Sequence, residues 1–368
     1  MLTNPVRYDY TRRYRPRSSV GYVRKYVKQV AIALIAFLVA ASLLNQIIPS
    51  PAIPPNVTFV SPKYAHYQAQ KDEYNVLFFG SSRVYNHIVP EEFDAAAAAA
   101  GAAVHSFNFG IPAQRALSGY VLMKEILKTP PKNLKWVFIE TPLDPGYEPI
   151  QNARTNRVIY WHTAENTRIA LRYILTSDET PLRKAVLAFS HLLPFAYNEF
   201  NIGRLFYQWI PVQNFTEEEQ TVSQQALAQR GYYPLSDDAD PKRQDFLAHL
   251  VRYEQSVEDL TEQKARIDRR ATHVSRGQRW LLQALVAQVR SVGAEPIFIV
   301  PPTLEPQYEL HRAYRLGYLP TLLSYNDPAA YAAFYALDNR HDAEHLNDQG
   351  SRQLSQQIAA DLFGPSAQ

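Results

Sequence analysis

The chain has 368 residues, a net charge of +3 and no cysteine. Hydrophobic residues make up 46% of it and charged residues 20%, which excludes a disordered, collagen-like or multi-span membrane chain. Without a thiol, disulfide scaffolds, thiolate metal sites and cysteine nucleophiles are also excluded. The length predicts either two domains or one large domain with insertions.

The N-terminal residues 1–28 carry the positive charge. They contain eight Arg or Lys and one acidic residue, a net charge of +7, so the rest of the +3 chain has a net charge of −4. Residues 30–48 follow without a charged side chain. At about 1.5 Å per residue they just span a hydrocarbon core of roughly 30 Å. We therefore interpret 1–28 as a cytoplasmic tail and 29–48 as a transmembrane anchor, with the remaining chain outside the cytoplasm.

Two alternatives to an anchor remain open. A cleaved signal peptide is the first, since Val39 and Ala41 suit the small-residue positions of a cleavage site. The long basic segment, and the apolar run that continues to Ile48, favour an uncleaved anchor. A buried core helix is the second, and the basic flank argues against it. The adjacent apolar run also favours a membrane over nucleic acid as the partner of the basic tail.

Residues 49–57 are rich in proline and predict a semi-rigid spacer before a domain over 58–368. Four short runs of apolar, β-favouring residues lie at 75–79, 104–108, 136–140 and 296–300. Continuous apolar runs of this kind are typical of strands buried on both faces of a parallel sheet. Helical patterns lie between these runs, at 114–128 and 277–292. The alternation predicts an α/β sandwich, which a helix-rich insertion at about 150–275 interrupts.

A serine motif follows the first predicted strand, as Gly80-Ser81-Ser82-Arg83. Open α/β sheets bind ligands beyond the carboxyl ends of their strands, and the turn after Gly80 could supply N–H groups to an oxyanion. The alternative is an ordinary loop in which Ser81 or Ser82 caps the next helix. The G-x-S-x-G elbow of α/β-hydrolases does not fit, because residue 84 is Val.

A second motif lies before the last predicted helix, and it allows three interpretations. As H-x-x-E-H, it could bind zinc through His341 and His345 with Glu344 as base. As D-x-x-H, it supplies a base, His345, and its orienting carboxylate, Asp342. The zinc interpretation needs a helix here, whereas Asn347 reads as the cap of a helix that begins after it. A solvated loop with a capping residue is the third interpretation.

These motifs, in this order, resemble the SGNH/GDSL hydrolase superfamily: 80–83 after the first strand, 108–110 after the second, and 342–345 before the last helix. The narrower resemblance is to its membrane-anchored extracytoplasmic members, which are associated with O-acetylation of exopolysaccharides and D-alanylation of teichoic acids. It covers about 72–145 and 277–362. It implies an SGNH-like three-layer sandwich with a central, mainly parallel sheet.

The resemblance implies that Ser82 is the nucleophile, His345 the general base and Asp342 its orienting carboxylate. We expect no cofactor and no catalytic metal. The family's usual aspartate before the nucleophile is Ser81 here, a variant also seen in the anchored members.

The oxyanion hole implied by the resemblance consists of the backbone N–H groups of Ser82 and Gly110. The third family block commonly adds an asparagine, but residues 138–144 contain none. Thr141 is a candidate substitute, or only a turn residue. Asn108 is a further candidate, although a buried asparagine at a strand end more often satisfies backbone groups.

A segment at 154–162 mixes cationic and aromatic groups, as recognition of a polyanionic glycan would require. Its candidate substrate contacts are Arg157, Tyr160 and Trp161, together with Arg83 beside the serine. The alternative is a helix whose tryptophan packs on the sheet while its arginines are solvated.

We therefore expect a single-pass protein of the bacterial inner membrane with a periplasmic or otherwise extracytoplasmic domain. This domain would be a serine acyltransferase or acylesterase that acts on a cell-surface or exported polysaccharide, with O-acetyl as the expected group. The resemblance also implies a membrane-bound O-acyltransferase partner. The alternative is a catalytically inactive SGNH-fold protein that assembles or binds carbohydrate.

Overall fold

The computed structural model describes residues 19–47, 51–200, 216–236, 239–265 and 273–364. Most of the predicted basic tail, residue 48 of the predicted anchor and residues 49–50 of the predicted spacer lie outside these ranges. The first helix, α1, runs over Ser19–Ile47. Its segment Val23–Leu44 has a mean hydropathy of 2.2 and is long and apolar enough to cross a membrane. Most of its described apolar side chains are exposed, with Ile32 at 66% and Ala41 as a buried exception, so a buried core helix is excluded.

Five parallel strands form the central sheet, in the order β2-β1-β3-β4-β5. The prediction of an α/β fold with a parallel sheet is confirmed, and the four predicted strands agree with the observed ones to within two residues at each end. The fifth strand was not predicted. The strands are β1 Val76–Gly80, β2 Ser106–Gly110, β3 Trp136–Ile139, β4 Glu295–Val300 and β5 Leu322–Ser324.

Helices cover both faces of the sheet, which makes three layers. Alternate residues of β1 belong to different core clusters: Leu77 and Phe79 to one, Val76 and Phe78 to the other. The first cluster includes residues of α2 Val60–Gln70, α5 Ala116–Ile126, α7 Ala164–Leu175, α12 Arg276–Arg290 and α13 Tyr308–Arg315. The second includes residues of α3 Ser82–His87, α4 Pro90–Ala99, α11 Leu250–Ala265 and α14 Asp348–Phe363.

Between β3 and α12 the described residues form helices and no strand, as the helix-rich pattern predicts. Besides α7 and α11, these are α6 Asn156–Ile159, α8 Pro181–Phe200, α9 Glu217–Ala228 and α10 Pro241–Ala248. A buried lysine connects this region to the sheet. Lys63 donates from Nζ to the carbonyl oxygens of Asn108, Gly110 and Gly231, at 2.9, 2.7 and 2.7 Å. Burial lowers the pKa of Lys63, and the three acceptors compensate for its desolvation.

Candidate active site

The candidate site lies at the carboxyl end of β1. The strand order reverses there, because β2 and β3 pair with opposite edges of β1. Doubly wound sheets bind ligands in the crevice at such a point. Ser82, the first residue of α3, lies there. The loop that precedes α14 reaches the same place from the other end of the chain.

Three side chains predicted from the sequence meet in one hydrogen-bonded triad. Ser82 Oγ lies 2.9 Å from His345 Nε2, and both carboxylate oxygens of Asp342 lie 3.0 Å from His345 Nδ1. A carboxylate can only accept, so the proton is on Nδ1 and the free Nε2 accepts from the Ser82 hydroxyl. This is the arrangement in which an imidazole can remove a serine proton.

The Asp342 carboxylate is also held by its own loop. Its Oδ1 accepts the backbone N–H groups of Glu344 and His345, at 2.7 and 2.8 Å. Burial by itself would raise the pKa of Asp342, but the hydrogen bond and charge of His345 and these two amides lower it to about 2. The carboxylate therefore stays ionised beside the imidazole.

Two buried residues fix the loop that carries the histidine. The Arg340 guanidinium is fully buried and donates to the carbonyl oxygens of Asp342 and Ala343. The N–H of Leu346 donates to His87 Nε2 at 3.0 Å, and the His87 ring lies edge-on to that of His345 at 5.7 Å. Burial lowers the pKa of His87 well below its usual range. His87 is thus a neutral acceptor that fixes the backbone beside His345.

The helix that the zinc interpretation requires is absent from residues 341–345, which form a loop. As predicted, Asn347 caps α14, and its Oδ1 accepts the Gly350 N–H at 2.9 Å. The two imidazoles that would share the zinc ion have different partners. His341 Nε2 lies 3.2 Å from the Asp240 carboxylate, whereas His345 contacts Ser82. In the described part of the chain, no group of three or more His, Asp or Glu side chains could hold a metal ion.

The serine turn is fixed from beneath by Glu140, the residue after β3. Glu140 Oε2 accepts the Ser81 N–H at 2.6 Å, and Oε1 accepts from the Arg83 guanidinium at 3.0 Å. Ser81 also caps α3, as its Oγ accepts the Arg83 N–H at 3.3 Å. A Cβ on Gly80 would lie 2.4 Å from Val84 Cγ2 and 2.7 Å from Glu140 Oε2. Only glycine fits between this carboxylate and the helix.

The predicted oxyanion hole needs a correction at Gly110, Asn108 and Thr141. The Gly110 N–H donates to Asn108 Oδ1 at 2.8 Å, so it is engaged within the protein. The Asn108 amide nitrogen donates to the carbonyl oxygens of Val84 and Ile88, which is the backbone-satisfying role weighed as its alternative. Thr141 is buried and its hydroxyl has no hydrogen-bond partner among the described residues, but it lines a separate small cavity behind the serine turn.

Two groups remain as candidate oxyanion donors. The Ser82 N–H makes no hydrogen bond within the described residues. Gln114 lines the serine cavity and is 92% buried. Neither its buried Oε1 nor its amide nitrogen makes a hydrogen bond to a described residue, so the amide nitrogen remains available as a donor.

A cavity of about 580 Å³ opens in front of Ser82 and His345. Four carboxylates line it, those of Asp144, Glu305, Glu309 and Glu344, against two guanidiniums, those of Arg83 and Arg115. The Arg83 charge is also compensated by Glu140 behind it. The cavity is therefore acidic. This differs from the polyanion preference that the cationic segment at 154–162 suggested.

The four predicted substrate contacts lie in two places. Arg83 lines the serine cavity, with its guanidinium bound to Glu140. Arg157, Tyr160 and Trp161 line a neighbouring cavity, and both aromatic side chains are buried, at 8% and 2% exposed. They are therefore walls of a cavity rather than a surface platform.

Known proteins add no family to this picture. No protein-family model matches the chain, and no curated protein matches it. The geometry of the site and the order of its motifs are therefore the only indications of what the chain does.

Proposed function

We propose that the chain is a membrane-anchored serine acyltransferase or acylesterase of the SGNH/GDSL type. The observation that carries this proposal is the triad of Ser82, His345 and Asp342 at the carboxyl edge of a parallel sheet, beside an open cavity. Serine, histidine and aspartate occur in every protein. Their joint placement at the point where the strand order reverses is what supports a catalytic role.

In the first half of the reaction, Ser82 Oγ attacks the carbonyl carbon of an ester. His345 Nε2 takes the hydroxyl proton, and Asp342 stabilises the imidazolium. The tetrahedral oxyanion receives the Ser82 N–H and the Gln114 amide as donors. Its collapse breaks the bond to the leaving alkoxide, which takes the proton from His345 and departs as the alcohol. The product is an acyl ester on Ser82.

In the second half of the reaction, the same steps run in reverse, and a new hydroxyl group attacks the acyl ester on Ser82. Water gives an esterase, and a sugar hydroxyl gives a transferase. Acetyl is the group proposed, because it is small and neutral and enters an acidic cavity without electrostatic cost. The glycan is proposed to be a cell-surface or exported polysaccharide, and a membrane-bound O-acyltransferase is the proposed partner that supplies the acyl group.

The site of action follows from the N-terminal charge. A net charge of +7 before the apolar helix favours a cytoplasmic N-terminus. The domain would then lie on the periplasmic side of a bacterial inner membrane, next to exported glycans.

The test is hydrolysis of p-nitrophenyl acetate by the purified full chain in detergent. Ser82→Ala should abolish turnover without loss of fold, because it removes only the nucleophilic oxygen. Ser81→Ala is the matched control: it removes a helix cap worth about 1 kcal/mol but leaves the nucleophile in place, so turnover should persist. Full activity in Ser82→Ala would overturn the proposal.

A second candidate is a catalytically inactive protein of the same fold that binds or assembles glycan. The observation in its favour is the engaged Gly110 N–H, which removes one of the oxyanion donors that the family resemblance implies. This candidate predicts saccharide binding by wild type and Ser82→Ala alike, with no ester turnover by either. Serine-dependent turnover would exclude it.

A further inference from the structure

A second cavity, of about 250 Å³, adjoins the serine cavity. Both are lined by Ala113, Gln114 and Arg115, in the connection between β2 and α5. Ala113 has a left-handed backbone, with φ of 53°, a conformation that costs energy outside glycine and recurs at functional sites. The far wall of the second cavity comes from the helix-rich region.

This second cavity contains polar groups that the described chain leaves unpaired. The Glu148 side chain is 95% buried, yet its carboxylate accepts no hydrogen bond from a described residue. The Arg157 guanidinium likewise makes no hydrogen bond there. Buried polar groups are almost always hydrogen-bonded, so a donor and an acceptor left open in one cavity indicate a polar ligand.

The chemistry of these groups suits a saccharide. A carboxyl group accepts from a hydroxyl, and a guanidinium donates to ring and hydroxyl oxygens. The aromatic walls of Tyr160 and Trp161 provide the apolar surface that most ligand sites require. Burial raises the pKa of Glu148 to about 7, against the opposing charges of Arg115 and Arg157. Around neutral pH this carboxyl can therefore both donate and accept.

We infer that the second cavity binds the acceptor saccharide and makes the protein a transferase rather than an esterase. This inference rests on the proposed function, because it requires an acyl group on Ser82. The acceptor hydroxyl oxygen would attack the acyl carbonyl carbon while His345 Nε2 takes its proton. A new ester bond to the sugar forms, the bond to Ser82 Oγ breaks, and the serine oxygen recovers the proton from His345.

The experiment measures transfer and hydrolysis together in the full chain in detergent. p-Nitrophenyl acetate is the donor, and cellotetraose or tetragalacturonate, each at saturating concentration, is the acceptor. Nitrophenol release gives total turnover, and mass spectrometry gives the acetylated saccharide relative to free acetate. Glu148→Leu and Arg157→Leu should each lower the ratio of transfer to hydrolysis about tenfold, since each removes hydrogen bonds to the acceptor. Glu217→Leu, which replaces an exposed carboxylate at the start of α9, is the matched control and should not change the ratio.

Hydrolysis without saccharide should stay within about twofold of wild type in both cavity variants, because neither residue lies in the triad. Hydrolysis without saccharide therefore checks that each variant is folded and that its triad is intact. An unchanged ratio in both variants, or a wild type that hydrolyses the ester but acetylates neither saccharide, would overturn the acceptor site while the esterase chemistry survives. Absence of any Ser82-dependent hydrolysis would instead overturn the proposed function itself, and the acceptor site with it.

Discussion

Glu140 Oε2 accepts the backbone N–H of Ser81 at 2.6 Å, and this bond joins the end of β3 to the turn that presents the serine. The same carboxylate pairs with Arg83, whose side chain is 16% exposed against 5% for Glu140. Through these two contacts, the Glu140 carboxylate fixes the turn that presents Ser82.

Glu140→Gln should lower the free energy of unfolding by about 3 kcal/mol, because it leaves the buried Arg83 charge without its partner. Urea unfolding of the full chain in detergent measures this. Glu344→Gln is the control: its carboxylate is 51% exposed and lies 3.9 Å from the same guanidinium, so its loss should cost less than about 1 kcal/mol. Equal effects of the two substitutions would contradict the assigned role of Glu140.

His87 is predicted to position the loop of the catalytic histidine. His87→Phe removes the acceptor of the Leu346 N–H, so kcat should fall about tenfold while KM changes less than about twofold. His87→Gln restores an acceptor and should recover most of the loss. A kcat of His87→Phe equal to that of wild type would show that the loop does not depend on this contact.

The stability of the folded protein should fall at acid pH as Asp342 becomes protonated. Its pKa of about 2 in the folded protein lies below the unfolded value of about 3.9. Its ionised form therefore stabilises the fold fully above pH ~4, and this contribution is lost as the pH falls to about 2. The thermal midpoint of wild type should exceed that of Asp342→Asn at pH 5, and the gap should close towards pH 2. A gap that stays constant with pH would contradict this assignment.

The topology can be tested cleanly because the chain contains no cysteine. Ala100→Cys places a single thiol at an exposed position at the end of α4, and Tyr8→Cys places one in the basic tail. In spheroplasts, a membrane-impermeant maleimide should label the first and not the second. Labelling of both only after lysis would mean that the domain lies in the cytoplasm.

Sequence patterns predicted those features that depend on neighbouring residues. The apolar runs of the first four strands, the cap at Asn347 and the serine motif after β1 are all local signals. The family resemblance led us to expect that Ser82 and His345 meet although 263 positions separate them, and their contact at 2.9 Å confirms this proximity. The strand β5 was missed because three half-buried residues carry no periodic pattern.

The contacts that sequence reasoning missed are those between distant segments. No local pattern shows that Glu140 pairs with Arg83, or that His87 accepts from Leu346. The Gly110 N–H was expected at an oxyanion, but an asparagine two residues earlier engages it. That the buried carboxyl of Glu148 has no hydrogen-bond partner among the described residues shows only in the folded structure. One signal was available in the sequence: an acidic residue directly after a buried strand, as at Glu140, often marks the functional edge of a sheet.

The central claim is that Ser82 is an activated nucleophile, and covalent trapping tests it most directly. The full chain in detergent would be treated with a fluorophosphonate, which labels only serines whose hydroxyl an adjacent base activates, and the adduct would be located by mass spectrometry of peptides. We predict one adduct, on Ser82 and not on Ser81, that is lost in His345→Ala and reduced in Asp342→Asn. An unlabelled Ser82 in folded protein, or labelling that persists without His345, would contradict the account.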